Sequence, residues 1–189
     1  MKNISFHILD ITENSFHAAS TKILLQVEES IKKDIYKVII EDNGKGMSKE
    51  MLNKVTDPYF TSRETRKVGL GIPLIYQNTQ QSGGSFNIVS KPGQGSCITA
   101  IFGLKHFNRP PVGDLADTIT HIFACYTYIQ VIYKHITDLG DFKLDSTELR
   151  KTLGDMPLSL PQVKALVKEM IENNLIDLGA EFNKEKSPE

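Results

Sequence analysis

The hydrophobic pattern of the first 105 residues constrains the fold most, because its period alternates between that of a helix and that of a strand. A helical pattern covers residues 3–18, and strand patterns follow at 22–28 and 36–41. Helices are predicted next at 48–55 and 70–81, then strands at 85–90 and 96–104. This order predicts a helical layer on one face of a mixed sheet.

The segment Asn108–Gly113 contains two adjacent prolines and predicts a linker by its composition. We therefore expect one domain at residues 1–107, a small α+β subdomain at 114–182 and a polar tail at 183–189. In the subdomain the pattern predicts helices and a strand pair. The helices are expected at 114–125, 146–153 and 161–173, and the strands at 127–133 and 141–144.

Composition excludes several classes of protein. The chain carries 22 Lys and Arg against 23 Asp and Glu, net −1, and no run approaches the roughly 18 apolar residues of a membrane helix. The acidic excess lies after residue 105, which argues against nucleic-acid binding there. Cys97 and Cys125 form neither a metal-site spacing nor a disulfide framework. We expect a cytoplasmic protein in which both thiols pack in the core. Ile122, Phe123 and Tyr126 are also expected in the core, with an interface as the alternative.

Three polar residues of the first predicted helix share one face. Asp10, Asn14 and His17 stand at positions i, i+4 and i+7. A carboxylate and a carboxamide one turn apart can handle a hydrated cation and a water, and Mg²⁺ usually takes only one or two protein ligands. A solvated helix face would show the same pattern.

Glycines follow the second predicted strand. Asp42 stands near the strand end and is followed by Gly44 and Gly46. A carboxylate there can accept a hydrogen bond from an amino group, and glycines permit close approach of the backbone to a ligand. An ordinary Asn-Gly turn is the alternative.

A basic segment precedes the predicted helix at 70–81. Arg63, Arg66 and Lys67 lie just before Gly69 and Gly71, and free N–H groups at a helix start attract phosphate. The alternative is a solvated basic loop, since a lone Gly-x-Gly is a weak signal. A further glycine-rich segment, 92–96, predicts only a β-turn when taken alone.

Together and in this order, these segments resemble the ATP-binding domain shared by histidine kinases, gyrase B, the Hsp90 chaperones and MutL. Asp10–Asn14 matches the family's N box, and Asp42–Gly46 matches its first glycine box. Asp57–Arg63 matches the phenylalanine box. Gly69–Gly71 and Gly93–Ser96 match the second and the last glycine box. The resemblance covers about residues 3–104. It implies an α/β two-layer sandwich of the histidine-kinase/Hsp90 ATPase type that binds ATP with Mg²⁺.

The resemblance also implies a role for each matching position. Asp42 would accept the adenine amino group, Asn14 would bind Mg²⁺, and Asp10 would be the catalytic residue. Ser96 would support adenine recognition. The other implied ATP-binding residues are His17, Gly44, Gly46, Met47, Phe60, Thr61, Arg63, Lys67, Gly69, Leu70 and Gly71.

Two departures from the family pattern concern turnover. The kinases usually have Asn at the position of Asp10, whereas MutL, gyrase and the anti-sigma-factor kinases have Glu. Asp10 keeps the carboxylate, and general-base catalysis contributes roughly 10²–10⁴ in rate. The loop between Phe60 and Gly69 is short and has Lys67 where glycine is usual, so we expect its closure over ATP to differ.

Autophosphorylation on histidine is not expected. No helical hairpin precedes Asp10 in this sequence, and His106 stands beside two prolines rather than inside a helical pattern. We expect His7, His121 and His135 to be structural.

The strongest resemblance is to small stand-alone bacterial ATP-binding proteins of this family, which share stretches like 7–15, 109–114 and 142–149. Some accompany iron hydrogenase subunits. This implies an unknown regulatory protein partner with a redox or hydrogenase link, and a homodimer is a further expectation. Two functions remain open: an ATPase or protein kinase that moves the γ-phosphoryl group, and a non-catalytic regulator whose nucleotide state changes its grip on a partner.

Overall fold

The structure, a computed structural model, describes residues 3–57 and 71–181. Up to residue 105 the elements follow the predicted order of helix, two strands, two helices and two strands. In chain order they are α1 (Ile4–His17), β1 (Lys22–Ser30), β2 (Ile35–Asp42), α2 (Lys49–Lys54), α3 (Gly71–Gln81), β3 (Ser85–Lys91), β4 (Gly95–Gly103), α4 (Leu115–Cys125), β5 (Gln130–Thr137), β6 (Gly140–Asp145), α5 (Ser146–Leu153) and α6 (Pro161–Asp177).

Among the described residues, the strands form one six-stranded sheet in the order β3-β4-β2-β1-β5-β6. β1 and β5 run parallel, whereas the other neighbouring pairs are antiparallel. The sheet is therefore mixed, which confirms the prediction.

One face of the sheet is covered by helices. Along β1, Ile23, Leu25 and Val27 are buried and alternate with half-buried neighbours, as a strand with one covered face requires. α1 contributes Ile4, Ile8 and Ile11 to the same core. It packs over β2, with α3 beside it over β3 and β4 and α4 on its other side, next to β5. The result is the predicted two-layer arrangement.

The predicted linker at Asn108–Gly113 does not divide the sheet. Strand β5 pairs with β1 from Lys22 and Gln130 onward, so the strands after the linker extend the sheet that precedes it. The prolyl segment itself packs along the start of α1, where the Ser5 hydroxyl donates to the Val112 carbonyl at 2.6 Å. Composition predicts an irregular backbone in this segment, but it does not predict exposure.

Three further expectations can be compared with the structure. Ile122 and Phe123 are fully buried, which confirms their place in the core. Cys125 is exposed and Cys97 half-buried, so the packing role predicted for both thiols is wrong for Cys125. Strand β5 begins at Gln130, three residues later than predicted, because the chain turns at 126–129. Within residues 3–57 and 71–181, no helix combines the length and the apolar character needed to cross a bilayer.

Candidate nucleotide-binding site

The site is built on a row of three residues that lie side by side on neighbouring strands of the sheet. Asp42 of β2 lies opposite Ser96 of β4, and Ser96 lies opposite Ser90 of β3. Directly opposite residues in an antiparallel pair project to the same face. The Asp42 carboxylate contacts Ser15 of α1, so this row faces the helical layer, near the C-terminal end of α1.

Two hydrogen bonds orient the Asp42 carboxylate. Its Oδ1 accepts from the Gly44 backbone N–H at 2.8 Å, and its Oδ2 accepts from the Ser15 hydroxyl at 2.9 Å. The Ser20 hydroxyl lies 3.2 Å from Oδ1 but only 2.7 Å from the Ser15 carbonyl oxygen. Its single hydrogen therefore favours the carbonyl. Because Asp42 is only half-buried, the carboxylate keeps acceptor capacity toward the open side of the row.

The loop after Asp42 is held from two sides. On the α1 side, the Lys45 N–H donates to the Ala18 carbonyl at 2.9 Å, and the Asn43 side chain accepts from two backbone N–H groups of the α1–β1 connection, those of Thr21 and Lys22. On the opposite side, the Gly93 N–H donates to the Lys45 carbonyl at 2.8 Å. The loop is thus fixed before any ligand enters.

The two glycines of this loop are required by its packing. A Cβ atom at Gly44 would lie 2.6 Å from the Ser20 hydroxyl oxygen and 2.7 Å from the Ala18 carbonyl oxygen. Gly46 has φ +64°, and a Cβ there would collide with the Lys91 carbonyl. The sequence indicates one reason for these glycines, the close approach of the backbone to a ligand. The structure adds a second one, the contact between neighbouring loops.

The polar face of α1 meets the start of α3. Asp10 and Asn14 are half-buried and His17 is exposed. A Cβ at Gly71, the first residue of α3, would lie 3.3 Å from Asp10 Cβ and 3.9 Å from Asn14 Nδ2. A larger residue at position 71 would therefore fill the space between the two helices. The start of a helix carries free N–H groups and partial positive charge, so this gap suits an anion.

The structure brings together, around one end of the sheet, the predicted residues Asp10, Asn14, His17, Asp42, Gly44, Gly46, Met47, Gly71 and Ser96. The predicted residues Phe60, Thr61, Arg63, Lys67, Gly69 and Leu70 lie outside the described residues. Sequence reasoning missed Ser15, Ser20 and Ser90. Of these, Ser90 could have been found by counting back from the turn at 92–95, since hairpin register sets it opposite Ser96.

Comparisons with known proteins agree with this geometry. The family described as "Histidine kinase-, DNA gyrase B-, and HSP90-like ATPase" matches residues 3–106, more than half of the chain. Sensor histidine kinase ZraS of Escherichia coli (strain K12) is 26% identical over 106 residues, 56% of this chain and 23% of that protein. Sensor protein kinase FleS of Pseudomonas aeruginosa is 30% identical over 97 residues, 51% of this chain and 24% of that protein. The chain spans less than a quarter of the length of either kinase.

A solved structure, the N-terminal domain of a DNA repair protein, shares the fold with a TM-score of 0.51 and 12% identity. The likeness covers 77% of this chain and 52% of the other, so it reaches beyond the residues that the family matches. The family match supports nucleotide binding at this site. This chain belongs to the family of histidine kinase-, DNA gyrase B- and HSP90-like ATPases.

Proposed function

We propose that this protein binds ATP with Mg²⁺ and either hydrolyses it or transfers its γ-phosphoryl group to a partner protein in bacterial signalling. The observation that carries the proposal is the Asp42 carboxylate. It is held by Gly44 and Ser15, in a row that lies beside the polar face of α1. An ionised carboxylate can only accept hydrogen bonds, so it suits the exocyclic amino group of adenine.

The phosphates would extend from the base toward the gap between α1 and α3. The space kept open by Gly71 beside Asp10 and Asn14 supports this direction. The Asn14 amide oxygen would hold Mg²⁺, an ion that usually takes only one or two protein ligands beside phosphate oxygens and waters. When bound, Mg²⁺ would neutralise phosphate charge. The predicted contacts from Arg63, Lys67 and Gly69 would add positive charge and free N–H groups.

We assign the role of general base to Asp10. It stands one helical turn before Asn14, on the face of α1 that meets Gly71. In this role its carboxylate orients the attacking water or the hydroxyl of a partner protein and accepts its proton. The partner, its redox link and a homodimeric state remain proposals that rest on the resemblance alone.

Calorimetric titration with ATP and MgCl₂ tests the binding site. We expect Asp42→Asn to weaken ATP binding by about 100-fold, since it removes a charged acceptor from the base. Glu41→Gln is the matched control, because Glu41 is exposed and precedes Asp42 on the same strand. Wild-type protein that binds no ATP, or an Asp42→Asn variant with unchanged affinity, contradicts the proposal.

Phosphate release and transfer to co-purifying proteins test the assignment of Asp10. We expect Asp10→Asn to slow turnover by about 10²–10⁴-fold and to change ATP affinity only a few-fold. Binding without any turnover by the wild type, with or without candidate partners, would instead establish the non-catalytic regulator.

A further inference from the structure

The hydroxyl of Ser90 joins three segments around the candidate base site. Its oxygen accepts from the Met47 backbone N–H at 2.8 Å. Met47 ends the glycine loop, residues 43–47, which follows Asp42. The Ser90 oxygen lies 2.8 Å from the Gly95 carbonyl oxygen and 2.9 Å from the Ser96 hydroxyl. Ser90 therefore links β3, the glycine loop and the first residues of β4.

Counting hydrogens assigns a direction to each of these bonds. A hydroxyl donates one hydrogen and accepts at two lone pairs. The Gly95 carbonyl can only accept, so the Ser90 hydrogen points to it. Met47 N–H occupies one lone pair of Ser90. The remaining bond then runs from the Ser96 hydroxyl to the second lone pair, and this arrangement satisfies Ser90 completely.

The consequence concerns Ser96. With its own hydrogen directed at Ser90, Ser96 presents only lone pairs to the site. Asp42, directly opposite on β2, also presents only lone pairs. Two adjacent acceptors complement an amino group, which carries two hydrogens. A 6-oxo group would place a third acceptor against them, which leaves its oxygen unpaired.

We infer that Ser90 is a specificity-determining positioning residue, which turns Ser96 into an acceptor and so makes the site prefer a 6-aminopurine to a 6-oxopurine nucleotide. This inference rests on the proposed ATP site and extends it to a residue that touches no nucleotide. Without Ser90, the Ser96 hydroxyl is free to rotate and to donate to a 6-oxo group.

The test compares ATP with ITP, which differ in the 6-substituent of the base and in the hydrogen that ITP carries at N1; the N1 difference is the same in every variant. Dissociation constants with MgCl₂ are measured for wild type, Ser90→Ala, Ser90→Thr and Ser85→Ala. The wild type is expected to prefer ATP. In Ser90→Ala the ratio of the ITP to the ATP dissociation constant should fall about tenfold, the loss of one hydrogen-bond preference. Ser90→Thr keeps the hydroxyl and should keep the ratio. Ser85 is the matched control, because it is exposed at the far end of the same strand.

A merely structural role would weaken both nucleotides equally and leave the ratio unchanged, and that result overturns the inference. Ser96→Ala should lower the ratio as Ser90→Ala does, and the double variant should add nothing, because Ser90 acts through Ser96. If Ser90→Ala does not fold, Ser90→Cys replaces the hydroxyl by a weakly bonding thiol of similar shape and carries the same expectation. Wild-type protein that binds neither nucleotide refutes the proposed function itself, whereas ATP binding with a ratio that stays at the wild-type value in Ser90→Ala refutes only the role of Ser90.

Discussion

A buried or half-buried carboxylate lies at each end of the strand pair β1 and β2. The two carboxylates differ in how many of their acceptor sites are taken up by donors of the protein. At one end Asp42 is half-buried and retains acceptor capacity toward the site. At the other end Glu29 is only 8% exposed. Its carboxylate accepts from His135 Nε2 at 2.8 Å and from the Glu181 backbone N–H at 2.9 Å.

The closed cluster around Glu29 extends through several side chains. The Tyr133 hydroxyl lies 2.7 Å from His135 Nδ1, and burial raises the pKa of Tyr133 well above its ordinary value, so this hydroxyl keeps its hydrogen and donates. Arg109 binds the Glu181 carboxylate at 2.7 Å and lies over the Tyr36 ring. These contacts join the prolyl segment, the end of the described chain and the sheet.

The difference teaches how to separate structural from functional carboxylates. Each is oriented by at least one donor from a distant part of the chain. Where buried protein donors use the acceptors, as at Glu29, the carboxylate contributes to stability. Where one side stays open, as at Asp42, the same chemistry is available to a ligand. Substitutions at the two ends should therefore affect different measurements.

The largest effect on stability is expected from Glu29→Ala. The change leaves the His135 and Glu181 N–H donors without their buried acceptor, which should lower the free energy of unfolding by about 3 kcal/mol. ATP affinity of the folded fraction should be unchanged, because the site lies at the other end of the strands. Denaturant unfolding and calorimetric titration check the two statements. A parallel loss of ATP affinity would show that the two ends are not independent.

Gly46→Ala should come next and should affect both measurements. The left-handed backbone at φ +64° and the contact with the Lys91 carbonyl together should cost about 2–3 kcal/mol and displace the glycine loop, with at least roughly tenfold weaker ATP binding. Gly93→Ala is the matched control. Gly93 has φ +74° but no atom within 4 Å of an added Cβ, so it should cost only about 1 kcal/mol. If Gly46→Ala and Gly93→Ala lost equal stability and ATP affinity, the contact between Gly46 and the Lys91 carbonyl would not be the cause.

Asp145→Asn tests a structural carboxylate at the same end of the sheet as Asp42. Burial alone would raise the pKa of Asp145, but hydrogen bonds from the Thr147 N–H and the Gln130 side chain hold it below its ordinary value. A carboxyl whose pKa is lowered by folding stabilises the protein at pH values above its pKa in the unfolded state. This stabilisation is lost as the pH falls through its pKa in the folded state. We expect a loss of about 1 kcal/mol at pH 7 that shrinks below about pH 4.

Unfolding of wild type and Asp145→Asn at pH 7 and pH 3 measures this difference. ATP affinity at pH 7 should not change. A difference in stability that is independent of pH would assign the effect to side-chain geometry and not to charge.

The smallest effect is expected from Glu28→Ala. Hydrogen bonding to Lys33, together with the nearby Lys37, lowers the pKa of Glu28. These ion pairs lie on the uncovered face of the sheet, so their removal should cost about 0.5 kcal/mol or less, and high salt should abolish the difference. Glu28 and Glu29 are neighbours on one strand but differ in burial. If Glu28→Ala lowered the free energy of unfolding as much as Glu29→Ala, burial would not explain which carboxylate matters for stability.

Local patterns predicted the elements well, and the physical reason is visible at single residues. Helix α5 spans Ser146–Leu153 as expected, because Asp145 caps it and its hydrophobic pattern is helical. The position of Asp42 at a strand end followed from the apolar run that precedes it. The pairing of β1 with β5 could not be predicted, since nothing local indicates which distant strand a strand will join.

The same limit applies within the site. Asp10, Asn14 and His17 could be grouped from helical spacing alone. The contact of Ser15 with Asp42 could not be predicted, since the Ser15 hydroxyl reaches that carboxylate only after α1 and β2 have packed together. Ser90 is intermediate, because a hairpin register places it opposite Ser96 but does not reveal the bond to Met47.

The parallel pairing of β1 with β5 has a consequence for biosynthesis. Strands β1, β2, β3 and β4 can assemble once residue 103 has left the ribosome, but one edge of β1 stays unpaired until Gln130–Thr137 emerge. An open strand edge invites association with other chains. Pausing of translation between these two points would therefore prolong the time during which this edge of β1 is open to neighbouring nascent chains on a polysome.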